Sequence, residues 1–286
     1  MWLLMAVGSA VFAGATAILA KVGIRNTDSN LATALRTIVV LVFSWILVFA
    51  SGAQQGIRGL SGENVLFLVL SGLGTGASWI CYFRALQLGN VNKVTPIDKS
   101  STVLTMILAF LFLGEGISGP KIIGMVFIGT GTLFMIQKKE NAEDPGEKKG
   151  WLLFAFLSAV FASLTAILGK IGVQGIDSNL GTAIRTIIVL VMAWMIVFGQ
   201  KKQSQIRTID FKSWIFLLLS GITTGLSWLC YYRALQDGDA SIVVPIDKLS
   251  IVVTVAFSFL FLKEKISKIQ LVGLLAIAGG TLLLLI

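Results

Sequence analysis

Long apolar runs alternate with short polar segments along this chain. In its first half the apolar runs cover 2–20, 31–50, 65–83, 100–113 and 122–136. Three of them reach about 20 residues, the length at which a helix rising about 1.5 Å per residue crosses a hydrocarbon layer of about 30 Å. The fourth run is short and needs residues 95–99 to complete its span. Period-two alternation, which marks a membrane β-barrel, is absent, so we predict an all-α integral membrane protein.

The second half of the chain repeats the first half without a gap. At an offset of 149 positions about half of the aligned residues are identical, as Trp2 matches Trp151 and Arg36 matches Arg185. Each half therefore predicts five spanning helices, ten in all. We place the first five-helix repeat at 1–137, a charged linker at 138–149 and the second five-helix repeat at 150–286.

Five is an odd number, so each repeat begins on one side of the membrane and ends on the other. The linker is short, highly charged and contains Pro145, and its backbone and charges would be unsatisfied in lipid. The second repeat therefore starts where the first ended and is inverted relative to it. Inverted-topology repeats are typical of transporters, whose substrate sites lie near the repeat interface.

The composition agrees with a membrane protein and narrows its partners. The chain is 56% hydrophobic and 13% charged, whereas a soluble domain carries about 25% charged residues. The net charge is +9. The basic residues lie in loops and at helix ends without interleaved aromatic residues, so no nucleic-acid partner is predicted. The chain has no His, and its two cysteines lie inside apolar runs. We predict no cofactor and no metal site.

The basic residues predict an orientation. Many Lys and Arg residues occur as repeat-related pairs, whose two members lie on opposite sides of the membrane. Such pairs add no difference in positive charge between the two sides. The unmatched ones lie at the linker side, except for Lys121. The positive-inside rule then places the linker in the cytoplasm and both termini outside. The predicted location is the cytoplasmic (inner) membrane of a bacterium or archaeon.

Charged residues inside or close to the predicted spans form two groups, one toward each face. A central Arg costs about 2.5–3.5 kcal/mol on insertion scales, so it should face a partner or a wet cavity, although snorkelling to the headgroups is the alternative. We predict that the two groups act as alternating gates, with Asp98 paired to an arginine of a neighbouring helix. The groups are Lys21, Arg36, Arg84, Asp98 and Lys99, and Lys170, Arg185, Arg233, Asp247 and Lys248.

A polar stripe on the fourth helix predicts the wall of a central cavity. Asp98, Ser101 and Thr105 recur at helical spacing, and their counterparts in the second repeat keep the stripe. Interhelical hydrogen bonding without a ligand is the alternative reading. The residues predicted to line the cavity are Thr16, Tyr82, Ser101 and Thr105, their counterparts Thr165, Tyr231, Ser250 and Thr254, and Trp79 with Trp228.

Three motifs recur in both halves and carry a family resemblance. Pro-Ile-Asp-Lys opens each fourth helix, Glu115 or Glu264 closes it, and two glycines mark each fifth helix. With these motifs the chain resembles the EamA-type members of the drug/metabolite transporter superfamily. Each half resembles one of the small five-helix bacterial or archaeal transporters, here fused in tandem. The resemblance implies a carrier, uncoupled or ion-coupled and often an exporter, for amino acids, related metabolites or drugs. It also implies cytoplasmic termini, opposite to the charge pattern.

These observations together predict a secondary-active transporter that works by alternating access between the repeats. The substrate would be a small metabolite, amino acid-like and zwitterionic or anionic, or drug-like, and the coupling to a proton or another ion stays open. A channel and a lipid- or amphiphile-flipping protein are the alternatives. An enzyme is not expected, because Asp98 and Asp247 would lie near opposite faces, too far apart to share a proton. Its partners would be the lipid bilayer and the substrate, in a monomer or homodimer.

Overall fold

The computed structural model describes residues 1–23, 27–88, 94, 97–135, 150–262 and 267–286. The linker 138–149 and Glu264 lie outside these residues. Eleven α-helices occur in the described ranges, and two short 3₁₀ helices, Ala53–Gly59 and Gln203–Thr208, follow α2 and α7. The α-helices are α1 (Trp2–Gly23), α2 (Ser29–Ala50), α3 (Gly62–Leu88), α4 (Ser101–Phe112), α5 (Gly119–Met135), α6 (Trp151–Gly172), α7 (Ser178–Gly199), α8 (Phe211–Asp237), α9 (Ala240–Lys248), α10 (Ser250–Leu262) and α11 (Lys268–Leu283).

The helices are long and apolar enough to cross a membrane. Six of them (α1–α3 and α6–α8) reach the length and hydropathy of a membrane span, and Ala240–Phe257 forms a seventh candidate across α9 and α10. The helices α5 and α11 are shorter but also apolar. Large apolar side chains such as Val42, Ile46 and Phe49 are exposed along the outer faces of the bundle, as lipid-facing surfaces require.

The contacts between helices show that the two repeats are inverted. Along α1 and α8, Gly8 lies opposite Cys230 while Thr16 bonds to Thr223, so the two helices run antiparallel. These are the first helix of one repeat and the third helix of the other, which would run parallel in repeats of the same orientation. The chain is therefore an all-α membrane protein built from two inverted five-helix repeats.

Two faces of the membrane can now be named. The linker face is the one at which α5 ends and α6 begins. The terminal face is the opposite one, where α1 begins and α11 ends. The contacts α1–α8, α3–α6, α2–α7 and α5–α11 all join the two repeats across the pseudo-two-fold axis, so the interior of the molecule is an interface between the repeats.

Aspartates cap the second helix of each repeat, whereas the fourth span departs from its predicted start. Asp28 and Asp177 cap α2 and α7, each accepting two backbone N–H bonds. The prediction that Pro-Ile-Asp-Lys opens the fourth helix is wrong in the second repeat. There α9 begins at Ala240 and contains Pro245, and the span breaks at Leu249, just after the motif.

Candidate functional site

A cavity of about 370 Å³ lies between the two repeats, a volume in the range of small-molecule sites. Both repeats contribute to it through α1, α3 and α6–α9. Its walls combine aromatic rings, small residues, hydroxyl groups and three charged side chains. They are formed by Ala13, Thr75, Ser78, Trp79, Ala162, Thr165, Ala166, Arg185, Ser227, Trp228, Tyr231, Tyr232, Asp247 and Lys248.

Arg185 is the dominant group of this cavity. Its side chain is only 3% exposed, and Nε donates to Ser71 Oγ at 2.9 Å while Nη2 donates to Thr75 Oγ1. The guanidinium also lies over the rings of Trp228 and Tyr232, 5.3 and 4.9 Å from their centroids. Such contacts partly offset the desolvation of a cation.

The partners of Arg185 leave its charge uncompensated. Within the described parts of the chain, no carboxylate comes within ion-pair distance of the guanidinium, and Nη1 has no hydrogen-bond partner. A buried cation without a counter-ion is expensive in a low-dielectric interior. An anionic group that enters the cavity would therefore be bound strongly by Arg185.

A carboxylate and two serines form a second polar group at the same cavity. Ser9 Oγ donates to Asp247 Oδ1 at 2.6 Å, and Ser227 Oγ donates to the carbonyl of Ser9 at 3.1 Å. The helices α1, α8 and α9 bring these residues together. The group thus provides an anionic site beside Arg185, with Lys248 close to the same carboxylate.

The pseudo-two-fold axis repeats this arrangement around Asp98. Ser158 Oγ donates to Asp98 Oδ1 at 2.7 Å, and Ser78 Oγ donates to the carbonyl of Ser158 at 3.1 Å. Each carboxylate is thus bonded by a serine of the opposite repeat. The two halves of the molecule are therefore tied together at each fourth helix.

The predicted cavity residues separate into two sets. Trp79, Trp228, Thr165 and Tyr231 lie on the wall of the central cavity. The other six lie outside that wall: Thr16 bonds to Thr223, Tyr82 packs beside Trp151, and Thr105 and Thr254 donate to the carbonyls of Ser101 and Ser250 in their own helices. The threonines of the polar stripe thus bond within their own helices, as Thr side chains in spans commonly do.

The predicted pairing of Asp98 with an arginine is wrong. Lys99 Nζ lies 3.6 Å from Asp98 Oδ2, and Lys248 Nζ lies 3.6 Å from Asp247 Oδ2. Adjacent helical side chains diverge by about 100°, but the helix turns irregular directly after each lysine. The long lysine stem can therefore fold back to its neighbour.

The remaining charged residues of the two predicted groups are dispersed. Arg233 pairs with Asp237 at 3.3 Å at the partly exposed C-terminal end of α8. Arg84 is exposed near the C-terminal end of α3, at the linker face. Arg36 lines a separate, smaller cavity. The side chain of Lys21 lies outside the described residues. Of the group toward the terminal face, only Arg185, Asp247 and Lys248 share the central cavity.

Glu115 joins the two repeats at the terminal face. Its carboxylate accepts the backbone N–H groups of Ala240 and Ser241 at 2.6 and 2.8 Å, at the start of α9. Lys170 Nζ lies 3.2 Å from Glu115 Oε1 and donates to the carbonyl of Gly238 at 2.6 Å. A carboxylate at a helix N-terminus is favoured by the exposed N–H groups and the helix dipole.

The environment of Glu115 fixes its charge. Burial alone would raise the pKa of Glu115, but the hydrogen bonds donated at Ser241 and Ala240 and the positive charge of Lys170 outweigh it. The pKa is held below its ordinary value of 4.5. Glu115 is therefore ionised at neutral pH and stabilises the fold there.

We expect Glu115→Gln to lower the thermal stability of the detergent-purified protein at pH 7. Loss of charge-assisted hydrogen bonds at a buried site costs about 1–3 kcal/mol. Because the folded-state pKa is depressed, the stabilisation is present above pH 4.5 and is lost as the pH falls through the lowered pKa. The difference in melting temperature between variant and wild type should therefore narrow below pH 4.5.

The exposed Glu63 provides the matched control, because it lies in the first turn of α3 beside the same surface. Glu63→Gln should leave the melting temperature nearly unchanged. A Glu115→Gln protein as stable as wild type at pH 7 would contradict the assigned role.

Several residues of the site escaped the sequence reasoning. Ser71, Thr75 and Ser78 were not singled out, because small hydroxyl residues are common in packed spans. The repeat offered one signal: Ser71, Thr75 and Ser78 have identical or hydroxyl counterparts 149 residues later. That pattern alone could not show that they face Arg185 and Asp98.

Comparison with known proteins agrees with this architecture. The model of the EamA-like transporter family matches residues 1–137 and again 149–286. A Sinorhizobium sp. protein described as an uncharacterized transporter in the cobO 3′ region is 46% identical over 136 residues, which are 48% of this chain and 96% of that protein. One such relative thus corresponds in length to a single repeat.

Two further comparisons are more distant. An uncharacterized transporter of Clostridium kluyveri is 26% identical over 104 residues, 36% of this chain and 33% of that protein. A solved crystal structure aligns with a TM-score of 0.74, at 17% identity, over 99% of this chain and 97% of its own. At that identity the similarity concerns the fold alone.

The inverted repeats, the central cavity and these relatives define a multi-pass membrane transporter of the drug/metabolite type. The chain belongs to the EamA-like transporter family, whose model covers both repeats. As a transporter, it has the lipid bilayer and a small-molecule substrate as its partners.

Proposed function

We propose that this protein is a secondary-active transporter for a small metabolite that carries a carboxylate, amino acid-like and zwitterionic or anionic. The observation that carries the proposal is the buried, uncompensated guanidinium of Arg185 on the wall of the central cavity. Arg185 would bind the substrate carboxylate, and Asp247 would accept an amino group where the substrate has one. Trp79, Trp228 and Tyr231 would pack against its apolar part.

The charges on the cavity wall support this choice of substrate. Arg185 and Lys248 are cations and Asp247 is an anion, so the wall carries one excess positive charge. Lys248 lies near Asp247, which leaves Arg185 as the cation without an ion pair. A substrate that is uncharged or carries only a cationic group would leave that guanidinium unpaired.

We propose that transport proceeds by alternating access, in which each inverted repeat adopts the conformation that the other repeat had before. Arg185 is held by Ser71 and Thr75, whereas its counterpart Arg36 has an unbonded Nε. The counterparts of the two hydroxyl partners, Ser220 and Thr224, donate to backbone carbonyls of α8 and, within the described residues, accept no hydrogen bond from Arg36. In the opposite state these two residues would hold Arg36, and Arg185 would be released.

The exchange also assigns the gates. The junction of Glu115 with Lys170 and the start of α9 would seal the terminal face in the state described here. Opening that face would require this junction to separate. The serine-bonded carboxylates Asp98 and Asp247 would hold the fourth helices in place during the change.

The proposed orientation follows the basic residues. Lys201, Lys202, Lys212 and Lys268 all lie at helix ends of the linker face, while their counterparts in the first repeat are not basic. We place the linker face in the cytoplasm of a bacterial or archaeal cell, and the protein in its cytoplasmic membrane.

Transport by the purified protein in liposomes tests the proposed function. Amino acids, organic anions and amines would first be screened by thermal stabilisation in detergent. Saturable uptake, accelerated by the same unlabelled compound inside the vesicles, supports a carrier for a carboxylate substrate. Flux without saturation or counter-flow would indicate a channel, and movement of a lipid analogue would indicate a flipping activity.

The exchange of arginine partners predicts opposite effects of two matched substitutions. Thr75→Val removes a partner that Arg185 has in this state, and Thr224→Val removes the partner that Arg36 would have in the other state. With Ala162→Cys as a reporter in a Cys81→Ala/Cys230→Ala background, labelling of the cavity from one face should change in opposite directions in the two variants. The measurement is the rate of modification by an impermeant thiol reagent.

Thr130→Val is the control for this experiment, because Thr130 is exposed on the outside of α5. It should leave the labelling rate unchanged. If Thr75→Val and Thr224→Val shifted access in the same direction, the exchange mechanism would be wrong.

A further inference from the structure

We propose that a second cavity, around Arg36, is a carboxylate-binding site through which the substrate passes at the linker face. This cavity has a volume of about 190 Å³ and is distinct from the central cavity. It is lined by Asn30, Thr33 and Arg36 of α2, Trp79 and Phe83 of α3, and Ala193 and Ile196 of α7. The inference rests on the proposed transport of a carboxylate and adds a binding site to it.

The chemistry of this cavity matches an anion. The Nε atom of Arg36 is buried and has no hydrogen-bond partner in the described part of the chain, and no described carboxylate pairs with its guanidinium. The side-chain amide of Asn30 supplies further N–H groups, one of which already donates to Gln200. A carboxylate would accept charge-assisted bonds from the guanidinium, so it is the ligand that relieves the unpaired donor.

The apolar walls of the cavity favour a flat substrate body. Trp79, Phe83, Ala193 and Ile196 line the cavity together with Arg36. Such surfaces bind the apolar part of a ligand, while a single cationic group fixes its orientation. The combination resembles the wall of the central cavity, where Arg185 lies near Trp228 and Tyr232.

Trp79 connects the two cavities, because it lies on the walls of both. Arg185 belongs to the half of the molecule toward the terminal face, and Arg36 to the half toward the linker face. A substrate that leaves the central cavity along Trp79 therefore meets a second guanidinium before it reaches the linker face. The two arginines are repeat counterparts, so the carboxylate finds the same chemistry at both positions.

A protected reporter cysteine tests the site directly. Thr33→Cys would be introduced in the Cys81→Ala/Cys230→Ala background, and its reaction with N-ethylmaleimide followed in nanodiscs of phosphatidylcholine. Benzoate is the probe, and benzamide is its neutral control. We expect benzoate to slow the reaction at about tenfold lower concentration than benzamide, because one charge-assisted contact of about 1.4 kcal/mol lowers the dissociation constant about tenfold.

Two substitutions separate this site from the central one. Arg36→Gln should abolish the protection of the Thr33→Cys reporter, and Arg185→Gln should leave it largely intact. Protection of the Ala162→Cys reporter in the central cavity should be abolished by Arg185→Gln and largely kept in Arg36→Gln. Retained protection of the Ala162→Cys reporter in the Arg36→Gln protein also shows that this variant is folded.

The outcomes distinguish the two proposals. If protection of the Thr33→Cys reporter survives Arg36→Gln or disappears with Arg185→Gln, the second site is wrong. Protection that follows added phosphatidylglycerol instead of benzoate would assign the cavity to a lipid headgroup, which also overturns the inference. If benzoate protects the Thr33→Cys reporter but not the Ala162→Cys reporter, the central site is refuted and the second site stands.

Discussion

Arg185→Gln is expected to abolish counter-flow transport without lowering the stability of the protein. The glutamine side chain can still bond to Ser71 or Thr75, and it removes a buried charge that has no counter-ion. Loss of the charge-assisted bonds to the substrate, about 1.5–3 kcal/mol, should weaken binding about 10–100-fold. Binding is measured by ligand-induced thermal stabilisation, and transport by uptake in liposomes.

The stability readout distinguishes a binding role from a structural one. A guanidinium that served only to join α7 and α3 would leave a destabilised protein when replaced. Arg185→Lys should give an intermediate result, because an ammonium keeps the charge but loses the planar fork and most of the stacking on Trp228. Arg233→Gln is the control: Arg233 lies outside the cavity on α8, so both readouts should stay at wild-type values.

Gly280→Ala is expected to cause a large loss of stability for so small a substitution. A Cβ atom at Gly280 would lie 2.8 Å from the carbonyl oxygen of Gly124, and a backbone atom cannot rotate away. The helices α5 and α11 would have to separate, at an overpacking cost of about 1–3 kcal/mol. The melting temperature in detergent, followed by size-exclusion chromatography after heating, measures the effect.

The neighbouring glycine provides a matched control for this substitution. A Cβ atom at Gly279 would meet nothing within 4 Å, and alanine has the higher helix propensity by about 1 kcal/mol. Gly279→Ala should therefore be neutral or slightly stabilising. Equal melting temperatures for the two variants would show that close approach of α5 and α11 does not limit stability.

These glycines also show how much a residue pattern can predict. Their recurrence in each fifth helix marked a motif, but the contact they make lies between the repeats: Gly124 meets Gly280 and Gly131 meets Gly273. Residues that correspond by repetition do not contact each other here. The inversion pairs each of them with the other position of the motif, which only the packed structure reveals.

The polar stripe of the fourth helix is a contrasting example. Its helical spacing predicted one polar face for Asp98, Ser101 and Thr105, yet Thr105 bonds to its own helix and the carboxylate of Asp98 bonds to Ser158 of the opposite repeat. Periodicity shows which residues share a face. It does not show whether a hydroxyl points to a ligand, to a neighbouring helix or to a carbonyl one turn back.

The amino-acid sequence by itself determined the membrane class, the duplication and the inversion. These follow from the length of the apolar runs, from the match of each half to the other and from the odd number of spans. Each is a property of the chain that holds however the helices pack. The unmatched lysines added a proposed orientation in the same way.

Tertiary structure decided which polar groups meet. Arg36 and Arg185 occupy equivalent positions in the sequence, but Arg185 is bonded to Ser71 and Thr75, and Arg36 lines a smaller cavity with an unbonded Nε. Two halves of similar sequence thus place equivalent arginines in different surroundings. That asymmetry comes from packing between the repeats, because the groups around each arginine lie on other helices.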